Sequence, residues 1–230
     1  MLLIATAGHA STAPALPIHD GVGGEFAAAS SLGRTVALSD YRGKVVLLFF
    51  GYTSCQDVCP VTLSHLSALV KKLGPTADSV QVLLVTVDPA VDTAEHLREY
   101  LARFDSRFVG LTGTPDEVDR IAVLFAARSD SSHPVTPSTT HHASKTFTDR
   151  IEIYAHAQQI YLLDTAGRTR GMYFSGSPLE EMESAVRTLL GEASGEVPAA
   201  PVSAGEPAKQ SGSEPSQGHQ HHHHTEGTHK

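Results

Sequence analysis

Cys55 and Cys59 are the two cysteines of the 230-residue chain, four positions apart and followed at once by Pro60. A secreted domain held by disulfides would spread more cysteines along its length. Cysteines serving only as small buried hydrophobes have no reason to fall this close, so the spacing points to chemistry rather than packing. A thiolate is both a nucleophile and a soft metal ligand, and at this spacing two can share a disulfide or a metal ion. Redox and metal roles are both open on these grounds. Two sulfurs fall short of a four-ligand zinc site. Copper(I) accepts low coordination and prefers thiolates, so two Cys with one His would make a trigonal site. Outside the tail the imidazole candidates are His65, expected on a helix surface, His133, His141 and His142 in a polar stretch, and His156 just ahead of a late strand.

The elements that must position these residues follow from hydrophobic periodicity. Val36 and Leu38 alternate with polar neighbours ahead of a turn at Asp40-Tyr41-Arg42-Gly43. Val45 to Phe50 is an unbroken apolar run between glycines, which predicts a buried central strand. Gly51 to Cys59 is expected as a loop, with Pro60 in the first turn of a helix, where its missing N–H is not needed. Leu63, Leu66, Val70 and Leu73 carry that helix to Gly74-Pro75. The cysteines thus lie at a helix N-terminus, where free N–H groups and the helix dipole favour a thiolate.

Val80 to Val87 predicts a second buried strand. Asp92-Thr93-Ala94-Glu95 reads as a capping box that starts a helix, with Leu97, Tyr100, Leu101 and Phe104 on one face. Phe108 to Leu111 is a short strand, and Thr114-Pro115-Asp116-Glu117 opens a helix carrying Val118, Ile121, Leu124 and Phe125. Ser129 to Asp149 is a polar stretch long enough to be functional or mobile. Ile160 to Leu163 and Thr169 to Phe174 flank the turn Asp164-Thr165-Ala166-Gly167 as a hairpin. Ser177-Pro178-Leu179-Glu180 opens a last helix with Met182, Val186, Leu189 and Leu190 on its apolar face. Strands alternating with helices, then a hairpin and a helix, predict an α/β sandwich with a mixed central sheet.

Residues 27–191 are the expected folded domain. Residues 1–26 form an N-terminal arm or leader remnant: a short apolar run, without basic residues ahead of it, leads to Ala10, Ser11, Thr12 and Ala13 like the back end of an export signal. The run is too short to span a bilayer, which takes about 20 residues. An exported chain is expected, with the leader beginning upstream or present in minimal form. Residues 192–230 contain no Leu, Ile, Phe or Tyr and are expected to be disordered. His219, His221, His222, His223, His224 and His229 crowd that segment and would bind divalent metals as an accessory site. The net charge of -8, without a block of Lys or Arg, argues against a nucleic-acid partner.

The runs Phe50-Gly51-Tyr52-Thr53-Ser54-Cys55-Gln56-Asp57-Val58-Cys59-Pro60, Val87-Asp88-Pro89-Ala90-Val91-Asp92-Thr93 and Ile160-Tyr161-Leu162-Leu163-Asp164-Thr165-Ala166-Gly167 resemble the Sco/SenC family of copper-delivery proteins. The resemblance covers about Gly33 to Leu190. It implies a thioredoxin-like fold and a membrane-tethered protein facing the bacterial periplasm or the mitochondrial intermembrane space, of which the periplasm is the expectation here. It also implies a copper(I) metallochaperone role, assisting assembly of the binuclear copper site of cytochrome c oxidase. The implied copper ligands are Cys55, Cys59 and His156, with Ala155 where the family usually has Asp. Asp88 and Asp92 match the family's acidic pair, and either shapes the surroundings of the site or merely ends a strand and caps a helix. The implied partners are the copper-bearing oxidase subunit and other periplasmic copper chaperones or thiol reductases. The alternative is a thiol–disulfide oxidoreductase with Cys55 and Cys59 as its redox pair. The peroxiredoxin pattern is not matched, since Phe49 to Ser54 contains no Pro, and ordinary thioredoxins have two residues rather than three between their cysteines.

Overall fold

A computed structural model of the chain describes residues 15–127 and 159–194. The strands are β1 (Ala27–Ser30), β2 (Thr35–Ala37), β3 (Val45–Gly51), β4 (Val80–Thr86), β5 (Val109–Thr112), β6 (Gln159–Leu163) and β7 (Thr169–Phe174). The helices are α1 (Val58–Leu73), α2 (Ala94–Leu101), α3 (Pro115–Leu124) and α4 (Leu179–Ser194). The strands form one sheet in the order β2-β1-β5-β4-β3-β6-β7. β3, β4 and β5 run parallel, while β6 and β1 join them antiparallel.

β3 is buried along its whole length because apolar groups cover both of its faces. Its alternate residues divide between two cores. Val45, Leu47 and Phe49 face α1, α2 and α4, while Val46, Leu48 and Phe50 face α3 and the N-terminal strands. This is the three-layer, thioredoxin-like sandwich with a mixed sheet that the sequence predicts. Thr114 caps α3 with the reciprocal Glu117 bond and Pro115 at its start, as that sequence pattern demands.

Four local expectations change. β1 was not expected: Ala27-Ala28-Ala29-Ser30 has little apolar contrast and forms by pairing with β2 and β5. α1 begins at Val58, so Cys59 stands in its first turn rather than in the preceding loop. The residue that caps α2 is Thr93, whose side chain accepts the His96 N–H, and the Asp92 side chain points elsewhere. Residues 15–26, part of the segment read as an arm, pack onto the domain. Arg170 donates to the carbonyls of Leu16 and Pro17, and His19 N–H bonds the Thr169 carbonyl at 2.9 Å.

Candidate metal centre

The two cysteines meet where β3 hands over to α1. The register Gly51↔Thr86 puts the ends of β3 and β4 side by side, so the loop after β3 and the loop after β4 emerge together. Cys55 is partly exposed in the first of these loops, and Cys59 is 7% exposed on α1. Gly51 is what lets Cys59 sit so close to the sheet: a Cβ there would lie 3.0 Å from the Cys59 sulfur and 3.0 Å from Leu84 Cδ1.

Asp57 precedes α1 but makes no side-chain cap bond. The Cys55 sulfur takes that place, accepting the Cys59 N–H at 3.4 Å. The two thiols also interact directly, and the Tyr52 hydroxyl bonds Cys55. Burial works against a Cys55 thiolate, but the N–H groups of Cys59 and Asp57, with the Cys59 and Tyr52 side chains, outweigh it and hold the thiol below its ordinary value. Cys59 is the opposite case: burial, added to by the Cys55 and Asp92 charges, pushes it up to about 12. The pair is therefore asymmetric, with one accessible, acidic thiol and one buried, reluctant thiol.

Behind the cysteine loop lies Asp92, 0% exposed. Its Oδ2 accepts the Thr53 N–H at 3.1 Å and the Thr86 hydroxyl at 2.5 Å, and its Oδ1 accepts the Thr53 hydroxyl at 2.5 Å. Asp88, 4% exposed, shapes the turn that delivers Asp92: its N–H bonds Thr86 Oγ1 at 3.0 Å and its carbonyl accepts the Asp92 N–H at 2.9 Å. Tyr100 is buried on the α1 face of the sheet. Burial first, then the charges of Cys59, Cys55 and Asp92, push its hydroxyl up to about 12.

The structure thus brings together Cys55 and Cys59, with Asp92 tied to their loop. His156 lies outside the described residues, as do His133, His141, His142 and the tail histidines His219, His221, His222, His223, His224 and His229. Among the described residues no cluster of three or more His, Cys, Asp or Glu side chains is placed to hold a metal. His65 is directed to the Ser175 carbonyl at 3.1 Å, and His96 to the Val91 carbonyl at 3.4 Å. Thr86 and Tyr100 were missed as site residues. The signal for Thr86 was a lone hydroxyl closing a strand whose preceding four residues are all apolar, whereas Tyr100 sits in a core stripe and had none.

The SCO1/SenC family model matches residues 16–191. An SCO2-like protein of Rickettsia prowazekii is 30% identical over 166 residues, covering 70% of this chain and 74% of that protein. The human mitochondrial SCO2 homolog is 32% identical over 166 residues, covering 71% of this chain and 58% of that protein. Among solved structures, Bradyrhizobium japonicum ScoI with copper bound is similar at 30% identity and a TM-score of 0.56, over 74% of this chain and 99% of that one. Yeast Sco1 with copper bound is similar at 25% identity and a TM-score of 0.57, over 73% of this chain and 90% of that one.

Proposed function

Because the chain belongs to the SCO1/SenC family, we propose that it carries copper(I) on Cys55 and Cys59 and delivers it during assembly of the binuclear copper site of cytochrome c oxidase. The observation that carries the reading is the sulfur pair: two adjacent thiols at a loop-to-helix junction, one partly exposed and one buried behind it. That donor set suits a soft, low-coordinate ion and leaves an open side for transfer. Copper is the cargo, so a site that is half accessible serves release as well as capture.

His156 is the proposed third ligand. Its support is topological: Gln159 opens β6, and the pairing Phe49↔Ile160 puts that end of β6 beside the end of β3 from which the cysteine loop departs. Three residues of chain reach about 10 Å at most, enough to bring an imidazole to the sulfurs. The setting is the periplasm, with the protein facing it from a membrane tether, and the partners are the copper-bearing oxidase subunit and other copper chaperones or thiol reductases there. No helix among the described residues is long and apolar enough to cross a membrane.

Anaerobic copper(I) titration of the reduced protein, read by X-ray absorption, tests the assignment. One equivalent bound with sulfur ligation is expected, and Cys55→Ser or Cys59→Ser should lower the affinity by orders of magnitude. A single Ser variant that binds as tightly as the parent refutes it.

The asymmetry of the thiols favours a second reading, a thiol–disulfide oxidoreductase. The Cys55 thiolate attacks a partner disulfide, releasing one partner thiolate and forming a mixed disulfide. Cys59 then attacks the Cys55 sulfur, giving the Cys55–Cys59 disulfide and the second partner thiol. Cys59→Ser should trap the mixed disulfide at Cys55, and failure to trap one from a disulfide-bonded partner counts against this reading.

A further inference from the structure

We propose that Asp92 is a positioning residue of the cysteine site, acting through Thr53 to hold the loop that carries Cys55 against the ends of β4 and β5. The inference rests on the reading that Cys55 and Cys59 are the functional pair, and it does not depend on which chemistry they perform.

Asp92 is completely buried, and a buried carboxylate is costly unless donors surround it. Its donors are not those of a helix cap. One is Thr86 at the end of β4, and two belong to Thr53, 39 positions away in sequence and two before Cys55. Proton direction is fixed along this chain. Thr86 Oγ1 accepts the Asp88 N–H, so its own proton goes to Asp92. The residue is itself anchored, because its carbonyl accepts the Thr112 hydroxyl at the end of β5 at 2.8 Å. The carboxylate therefore ties the cysteine loop to the end of β4, its carbonyl ties the residue to β5, and on α2 His96 Nδ1 stands 4.0 Å from Oδ1.

The loop's other ties gather at its two ends, where Tyr52 packs on the core and bonds both cysteines and the Asp57 N–H bonds Cys55. Within the loop, Cys55 N–H reaches the Tyr52 carbonyl at 3.3 Å, a local bond that shapes the turn without locating it on the domain. The contact between Cys55 Sγ and Cys59 N–H, 3.4 Å, exists only while the loop is held in place. Releasing Thr53 leaves α1 and Cys59 where they are and lets Cys55 wander. That lowers the effective concentration of one sulfur at the other, which is the quantity that favours closing the pair.

The test uses metal-free full-length protein, so a failure of copper binding would not affect it. The equilibrium constant for forming the Cys55–Cys59 disulfide is measured in glutathione buffers, beside the thermal midpoint of the reduced protein. Thr53→Val removes the hydroxyl and keeps the shape; it should lower that constant about tenfold, a rise in reduction potential of ~30 mV. Thr53→Ser should restore it. Asp92→Asn should shift the constant in the same direction as Thr53→Val. Asn keeps an acceptor for Thr53 N–H and Thr86 but loses the charge. A fall in midpoint with an unmoved disulfide constant would show a merely structural role and overturn the proposal. So would a Thr53→Ser variant that behaves like Thr53→Val.

Discussion

Replacing Gly51 by Ala adds one methyl group at the point where the sheet meets the cysteine helix. The new Cβ would stand 3.0 Å from Cys59 Sγ, 3.0 Å from Leu84 Cδ1 and 3.2 Å from Phe49 Cε2. Favourable carbon contacts lie at about 3.5–4.0 Å, so three neighbours are each crowded by about half an ångström. Cys59, Leu84 and Phe49 are all buried, and none has open space to retreat into. Overpacking of this kind costs about 1–3 kcal/mol. Gly51 is not in the left-handed region, so Ala also gains about 0.4–1 kcal/mol by restricting the unfolded chain. A net loss of about 1–2 kcal/mol is expected in urea denaturation of the reduced protein, with unchanged m-value. The cause is separable by a double-mutant cycle. In a Cys59→Ala background the sulfur is gone, and the cost of Gly51→Ala should shrink by about 1 kcal/mol. An Ala variant as stable as the parent, or an unchanged cost in the Cys59→Ala background, would refute the view that Gly51 is there to admit the Cys59 sulfur.

Three other outcomes follow. Asp164 and Arg170 are both buried and paired at 3.0 Å, so Asp164→Asn, which takes the carboxylate away from a buried guanidinium, should cost about 3 kcal/mol by denaturant titration. Burial opposes the Asp164 charge, but bonds from Arg168 and Arg170 outweigh it and depress its pKa. This stability is therefore complete above about pH 5 and is lost as the pH falls through the depressed folded value; a parent whose midpoint stays flat down to pH 2 contradicts it. His156→Ala should weaken copper(II) more than copper(I), because two thiolates can hold copper(I) alone while the harder ion needs imidazole, and equal effects on both ions count against that ligand. Deleting residues from Pro215 onward should lower the number of metal equivalents bound and slow loading at scarce copper, leaving cysteine-site affinity unchanged; equal stoichiometry and rate exclude a role for the tail histidines.

What the sequence made legible is what short-range pattern controls. β3 is an unbroken apolar run and β4 is one interrupted only by Gln81 before it closes on Thr86, the pattern of strands buried on both faces. The α3 start is specified by three residues within one turn, and the β6–β7 hairpin by its turn residues. The cysteine pair was legible because two rare, reactive residues stood together. β1 was not legible, since an Ala-rich tetrapeptide acquires strand character only from Thr35–Ala37 on one side and β5 on the other.

Asp92 shows where such reading stops. Asp92-Thr93-Ala94-Glu95 has the spacing of a capping box with Asp92 as the cap, although Thr93 beside it also favours that position. The choice is made by the fold. Parallel pairing of β3 with β4 sets Gly51 beside Thr86, and this carries the cysteine loop past the start of α2. Once Thr53 and Thr86 present three donors to one buried point, a carboxylate is stabilised there more than at an exposed helix end, where a cap bond competes with water. Thr93 is left to take the cap. The same register therefore fixes both which residue caps α2 and which residue holds the cysteine loop, and neither assignment can change without the other.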